Sequence, residues 1–230
     1  MLNIAVIPAR WWSKWIPLKN LAPLGGRPLI YYTILAAIES NSFDYICVSS
    51  DNKDILEFSS QFSEIDIIKR PKELSQDTSL SIDVVIHSIE QYINKWITPD
   101  LVTLLQPTSP FRSATNIREA CDLYLKSQHY RSLMSVCQSR KHPYKSFLRS
   151  ENALMPLFWE EYLSMPRQSL PFILDQNGAI YINNYSDLLK YRSFFVPPTI
   201  PYVMDDFSSI DIDSPIDLDY WNFLITKVIS

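Results

Sequence analysis

With 230 residues, 47% of them hydrophobic and 20% charged, the chain belongs with ordinary globular proteins, outside the disordered class, and can bury one large core. A net charge of -4 argues against a general nucleic-acid binder, which would carry a basic face, but leaves room for one small anionic ligand held by local cations. Cys47, Cys121 and Cys137 are odd in number and far apart, so neither a disulfide framework nor a thiolate metal site is expected. A reducing cytoplasm fits that usage. No stretch approaches the ~18 apolar residues of a membrane span, and "MLNIAVIPAR" has neither a basic leader nor a signal-length core.

In chain order, "NIAVI" (3–7) reads as a buried parallel strand, "PLIYYTILAAIES" (28–40) as a helix and "DYICVSS" (44–50) as a second strand. A helix capped by Asp51 is expected over 51–62, and a short strand over 65–70. Apolar residues at helical spacing predict a helix over 78–96, with Asp77 or Thr78 as its N-cap. "LVTLLQPTSPFR" (101–112) is a strand running into a loop, 114–127 a helix and 132–139 a strand. Residues 140 to 176 break the pattern; they are rich in Pro, Tyr, Phe and Trp, unlike a Gly/Ser linker, and read as an excursion that packs on a second subunit. Strands over 178–184 and 194–204 follow, and Ser214 with Pro215 opens a final helix over 214–230. The whole is one α/β domain of 1–230 with a mostly parallel sheet, helices on both faces and a ligand beyond the carboxyl ends of the strands.

Several loops at that edge carry chemistry. "PARWWSKWIPLKN" (8–20) places Arg10, Lys14, Lys19 and Asn20 after the first strand, where cations and backbone N–H groups suit a triphosphate. "LLQPTSPFR" stiffens a strand end with two prolines and presents Gln106. "SIDID" puts Asp211 and Asp213 two residues apart, on one face if extended, where they can hold a hard cation; the alternative is acidic decoration ahead of a helix. His87, His129 and His142 show no metal-ligand spacing.

These loops, in this order together with "SSDN", "KRPKELSQDTSLS", "RKHPYK", "PRQ" and "QNGAIYI", resemble those of the acylneuraminate cytidylyltransferases and their relatives for legionaminic, pseudaminic and Kdo-type acids, from about Ile4 to Asp213. The resemblance implies a three-layer Rossmann-like nucleotidyltransferase that couples CMP from CTP to an acidic nine-carbon sugar, releases pyrophosphate and uses Mg²⁺. It further implies Arg10, Lys19 and Asp211 as catalytic residues, with Arg10, Lys14, Lys19, Asn20, Arg70 and Ser79 on the nucleotide. Ser81, Gln106, Lys145, Arg167, Asn177, Tyr181, Phe194 and Phe195 would face the sugar, and Asp211 and Asp213 the metal. A homodimer through 140–176 is implied, with neither nucleic acid nor membrane as partner.

One stretch departs from that pattern. The chain has three glycines, where about 7% usage would give roughly sixteen. Trp11 and Trp12 stand where members of the resembling family typically have small or polar residues, often glycine or asparagine at the second, and Trp15 where they have glycine, which a phosphate loop uses for left-handed backbone and close approach. An indole collapsed into the phosphate site would cost roughly 4–6 kcal/mol to expel. The expectation is therefore a plugged site with CTP affinity lower by about three to four orders of magnitude, Trp15 being most damaging and Trp11 least. A silent homologue that keeps dimer and sugar pocket is the alternative to an active enzyme.

Overall fold

A computed structural model describes residues 1–229. The chain runs β1 (Asn3–Pro8), the small hairpin β2 (Pro23–Leu24) and β3 (Arg27–Pro28), α1 (Leu29–Ser40), β4 (Tyr45–Ser50), α2 (Lys53–Ser59), β5 (Ile65–Lys69), α3 (Ser81–Ile93) and β6 (Leu101–Leu105). It continues through α4 (Ala114–Lys126), β7 (Ser132–Gln138), the hairpin β8 (Phe147–Ser150) and β9 (Ala153–Pro156), α5 (Glu161–Ser164), β10 (Leu174–Asn184), α6 (Tyr185–Tyr191), β11 (Thr199–Val203) and α7 (Pro215–Ile229).

Seven strands form one sheet in the order β11-β7-β10-β6-β1-β4-β5, with every neighbour pair parallel except the two that involve β10. Alternation along the central strands divides the core in two. Ala5 and Ile7 of β1 point to one face, under Ile30 and Ile34 of α1 and Ile117 and Cys121 of α4. Ile4 and Val6 point to the other, against Ile82, Val85, Ile86 and Ile89 of α3. Both faces of β1 are thus dry, which is why "NIAVI" is an unbroken apolar run. A third cluster, Ile16, Leu24, Leu29 and Ile212 with Trp221 and Ile225 of α7, lies beneath the loop after β1.

Several boundaries differ from the sequence reading, each for a local reason. Asn52, not Asp51, caps α2, its Oδ1 accepting from the Ile55 N–H at 3.0 Å; Asp51 instead accepts from the Trp11 N–H at 2.9 Å. Neither Asp77 nor Thr78 caps α3, which begins at Ser81 with Leu80 in the cap position and no side-chain cap. It ends at Ile93, and Trp96, expected inside it, is in the left-handed region at φ 65°. β10 starts at Leu174 rather than 178, α6 was not expected, and the strand over 194–204 is confined to Thr199–Val203. The excursion 140–176 is not irregular throughout: it contains β8, β9 and α5. The final helix begins as expected, with the Ser214 hydroxyl accepting from the Asp217 N–H at 3.3 Å and Pro215 in the first turn; Ser230 lies outside the described residues.

Candidate active site

The loops after β1, β5 and β6 leave the same edge of the sheet, and because β10 runs the other way its first half returns to that edge. In the loop after β1, Ala9 still donates to the Ser49 carbonyl at 2.9 Å, so the strand pairing carries the chain to Arg10. Ile16 anchors the loop in the third cluster, and Leu18, left-handed at φ 51°, turns it into a short 3-10 segment, Lys19–Leu21. That turn buries Asn20, whose Nδ2 donates to the Arg10 carbonyl at 2.9 Å. Asn20 therefore ties the two ends of the loop. Arg10 and Lys19 are presented from it to the cleft, with Arg10 Nη1 3.0 Å from Asp77 and Lys19 Nζ 2.9 Å from Asp213.

Two further arginines are buried around the site. Arg70, at the end of β5, donates through Nη2 to the Ser49 carbonyl at 2.6 Å. Burial foremost, opposed by Asp51 and reinforced by Arg10, pushes its pKa down to about 10, so it stays charged at neutral pH. Arg112 is 1% exposed and donates through Nη1 to the carbonyls of Gln106 at 3.1 Å and Ala179 at 2.9 Å, stitching the loop after β6 to β10. Gly178, at φ 76°, fits between them: a Cβ there would meet Gln106 Oε1 at 2.8 Å. Its backbone angle favours glycine, and a side chain there would displace the Gln106 amide.

The acidic pair sits opposite. Ile212 is fully buried and its N–H bonds the Thr108 carbonyl at 2.8 Å, so alternation turns Asp211 and Asp213 away from the core together. Asp211 keeps an edge open to solvent, yet the protein packed around it pushes its pKa up to about 7; a hydrogen bond from Thr108 opposes the rise and the neighbouring Asp213 adds to it. Asp213 goes the other way: burial would raise it, but the hydrogen bond and charge of Lys19, with a hydrogen bond from Asp211, hold it below its usual range. Two carboxylates in contact, beside one lysine, are a donor set that suits a hard dication shared with phosphate oxygens. Among the described residues no cluster of three or more His, Cys, Asp or Glu is placed to hold a metal.

Together these loops enclose a cleft of about 370 Å³. Of the residues singled out in the sequence, Arg10, Lys19, Asn20, Arg70, Ser79, Ser81, Gln106, Asp211 and Asp213 line it. Tyr181 lies close enough for Asp211 to influence its hydroxyl, and Phe194 packs on its ring at 5.4 Å between centroids. The others stand elsewhere. Lys14 lies over the Trp15 ring at 5.1 Å, outside the cleft walls. Asn177 is buried, bonding Ser135 at 2.6 Å and Ser209 at 2.9 Å, which makes it a structural polar residue of the subunit. Phe195 is exposed. Lys145 is held in the excursion by the Leu163 carbonyl at 2.9 Å, and Arg167 lines a separate groove with Arg140 and His142. Gln76, Asp77 and Thr108 also line the cleft. The sequence signal for Asp77 was read as a cap, and Thr108 lay within the Gln-Pro-Thr-Ser-Pro loop without a role of its own.

The tryptophans are not buried in the site. Trp11, Trp12 and Trp15 are 48%, 51% and 63% exposed, and none has a left-handed φ. Trp12 forms part of the cleft wall, whereas Trp15, expected to be the most obstructive, does not line it. The glycine-like backbone needed by this loop falls instead on Leu18.

The cytidylyltransferase family model matches residues 4–207. The chain belongs to the cytidylyltransferase family. It is 37% identical over 222 residues to the CMP-N,N'-diacetyllegionaminic acid synthase of Legionella pneumophila, covering 94% of this chain and 93% of that protein. It is 34% identical over 216 residues to the N-acylneuraminate cytidylyltransferase of Escherichia coli, covering 94% of this chain but only 50% of the relative, so it spans about half the length of that protein. The pseudaminic acid cytidylyltransferase of Campylobacter jejuni is 29% identical, with 97% and 96% covered. Among solved structures, a CMP:2-keto-3-deoxy-manno-octonic acid synthetase complexed with CTP superposes with a TM-score of 0.72 at 14% identity, covering 99% of this chain and 100% of that one. At that identity the likeness shows the cytidylyltransferase fold alone.

Proposed function

We propose that the chain is a CTP-dependent synthetase that transfers CMP to the anomeric hydroxyl of an acidic nine-carbon α-keto sugar. The observation that carries this is the convergence of Arg10, Lys19, Arg70, Gln106, Asp211 and Asp213, from loops up to about two hundred positions apart, on one cleft. In the reaction the sugar oxygen attacks the α-phosphorus of CTP, the bond from that phosphorus to the β-bridging oxygen breaks, pyrophosphate leaves and the hydroxyl proton is lost.

Arg10 and Lys19 hold the phosphates and offset the charge that gathers on the departing pyrophosphate; positioning and charge neutralisation supply most of the catalysis in such transfers. Arg70 and Ser79 border the nucleotide, while Gln106, fixed over Gly178, and Ser81 orient the sugar. Asp211 and Asp213 suit Mg²⁺, which when bound would neutralise phosphate charge.

We also propose a homodimer in the cytosol. Its support is the excursion, where β8 is exposed at every residue and Leu154, Met155, Phe158 and Trp159 are uncovered, an apolar patch that a second copy would bury. Lys145 and Arg167, on that arm and away from the cleft of their own subunit, would then serve the sugar site of the other. Among the described residues no helix is long and apolar enough to cross a membrane, and Cys47, Cys121 and Cys137 are free thiols.

The test is pyrophosphate release with CTP and N-acetylneuraminate, diacetyllegionaminate, pseudaminate and Kdo in turn. Release with one of the nine-carbon acids supports the reading; release with Kdo alone replaces the sugar, and none with any sugar leaves the silent homologue, which only Trp12 on the cleft wall favours.

A further inference from the structure

Beside the cleft lies a second concavity of about 420 Å³, walled by Trp11, Trp12, Lys53, Lys72 and Gln76, with Asp51 among them. Trp12 and Gln76 belong to both hollows, so the two are neighbours across these side chains. Trp11 and Trp12 are inclined at 58° with centroids 6.2 Å apart, and about half of each remains uncovered. The backbone that carries them is pinned, because the Trp11 N–H donates to Asp51. Among the described residues neither the Lys53 nor the Lys72 ammonium has an ion pair or side-chain hydrogen bond.

Uncovered ring faces and two unpaired cations in one nucleotide-sized hollow ask for a ligand with both a planar ring and a negative charge. A phosphate alone would leave the indoles unused, and a neutral ring would leave the lysines unused. A nucleoside phosphate satisfies both, by base stacking on an aromatic face and by phosphate contact with lysine. We propose that this hollow is a second nucleoside-phosphate subsite, distinct from the catalytic cleft, with the base against Trp11 and Trp12 and the phosphate on Lys53 and Lys72. It stands on Trp11 and Trp12 with Lys53 and Lys72, and it does not depend on the reaction proposed above. Because Trp12 and Gln76 line both hollows, any effect of occupancy in one on affinity in the other would be reciprocal.

The probe is ADP, whose purine differs from the base of CTP, followed by calorimetry and by indole fluorescence. The expected result is saturable uptake with the same affinity in the wild type and in Lys19→Ala, weakened about tenfold or more in Trp11→Ala and in Lys72→Ala, with unfolding temperatures unchanged. Uptake of ADP that Trp11→Ala and Lys72→Ala leave untouched would overturn the proposal. So would loss in Lys19→Ala alone, which would assign ADP to the cleft, no uptake by the wild type at millimolar ADP, or inorganic phosphate binding as tightly as ADP. Failure of pyrophosphate release with every sugar would bear on the catalytic reading and leave this one standing.

Discussion

The cleft and the arm of residues 140–176 solve opposite problems. At the cleft, charge is concentrated and each charged group is held by something buried: Asn20 ties the loop of Arg10, Ile212 sets Asp211 and Asp213, and Arg112 pins Gln106. In the arm, apolar side chains are left in the open and the backbone is a short hairpin with a four-residue helix. The difference teaches that the cleft is preorganised within one subunit, whereas the arm leaves apolar surface that the proposed dimer would cover. Substitutions at the two regions should therefore fail in different ways.

The largest effect is expected at the cleft. Lys19→Ala removes the partner of Asp213 and the cation proposed to hold phosphate, and pyrophosphate release should fall by roughly 10²–10³-fold with the unfolding midpoint little changed. Loss of activity that merely tracks loss of folded protein would break the contrast. At the arm, the proposed dimer should be lost in Leu154→Glu, read by light scattering, with the sheet intact by circular dichroism. If Lys145 acts across the interface, mixing Lys145→Ala with Lys19→Ala subunits should restore part of the activity that each lacks alone. A smaller effect is expected for Gly178→Ala, which strains a left-handed position by about 1–2 kcal/mol and pushes on Gln106. The KM for sugar should rise while that for CTP holds. The smallest is Trp15→Gly: an exposed indole outside the cleft should change stability by no more than about 0.5 kcal/mol and leave CTP affinity as it was.

The same contrast marks how much the sequence disclosed. β1, β4, β6 and α3 were legible because burial imposes a pattern: both-sided on the strands, one-sided on the helix. The cleft residues were legible as loops in a recognisable order. What could not be read was local. The β8–β9 hairpin turns through Glu151 at φ 50°, without the Asn-Gly or Gly signal that normally announces such a turn. α6 has seven residues, too few for periodicity, and holds itself down through Leu188 alone among its fully buried residues. Asp51 and Asp77 look like caps in isolation, but in space Trp11 and Arg10 claim them.

Glycine scarcity pointed to backbone strain at the tryptophans, and the strain lies elsewhere in the loop. Three indoles in a phosphate loop suggested strain and obstruction, since the loop needs a left-handed residue somewhere. Leu18 supplies it, and the indoles remain on ordinary backbone, at the rim.

Calorimetric titration of the wild type with CTP and Mg²⁺ tests most directly whether the indoles border the cleft or fill it. The account predicts a saturable site of micromolar affinity in the cleft, unchanged by Trp15→Gly and lost in Lys19→Ala, with only the weaker uptake of the Trp11–Trp12 hollow left in that variant. Absence of binding up to millimolar CTP, with micromolar affinity restored when residues 11, 12 and 15 are all replaced by glycine, would contradict it.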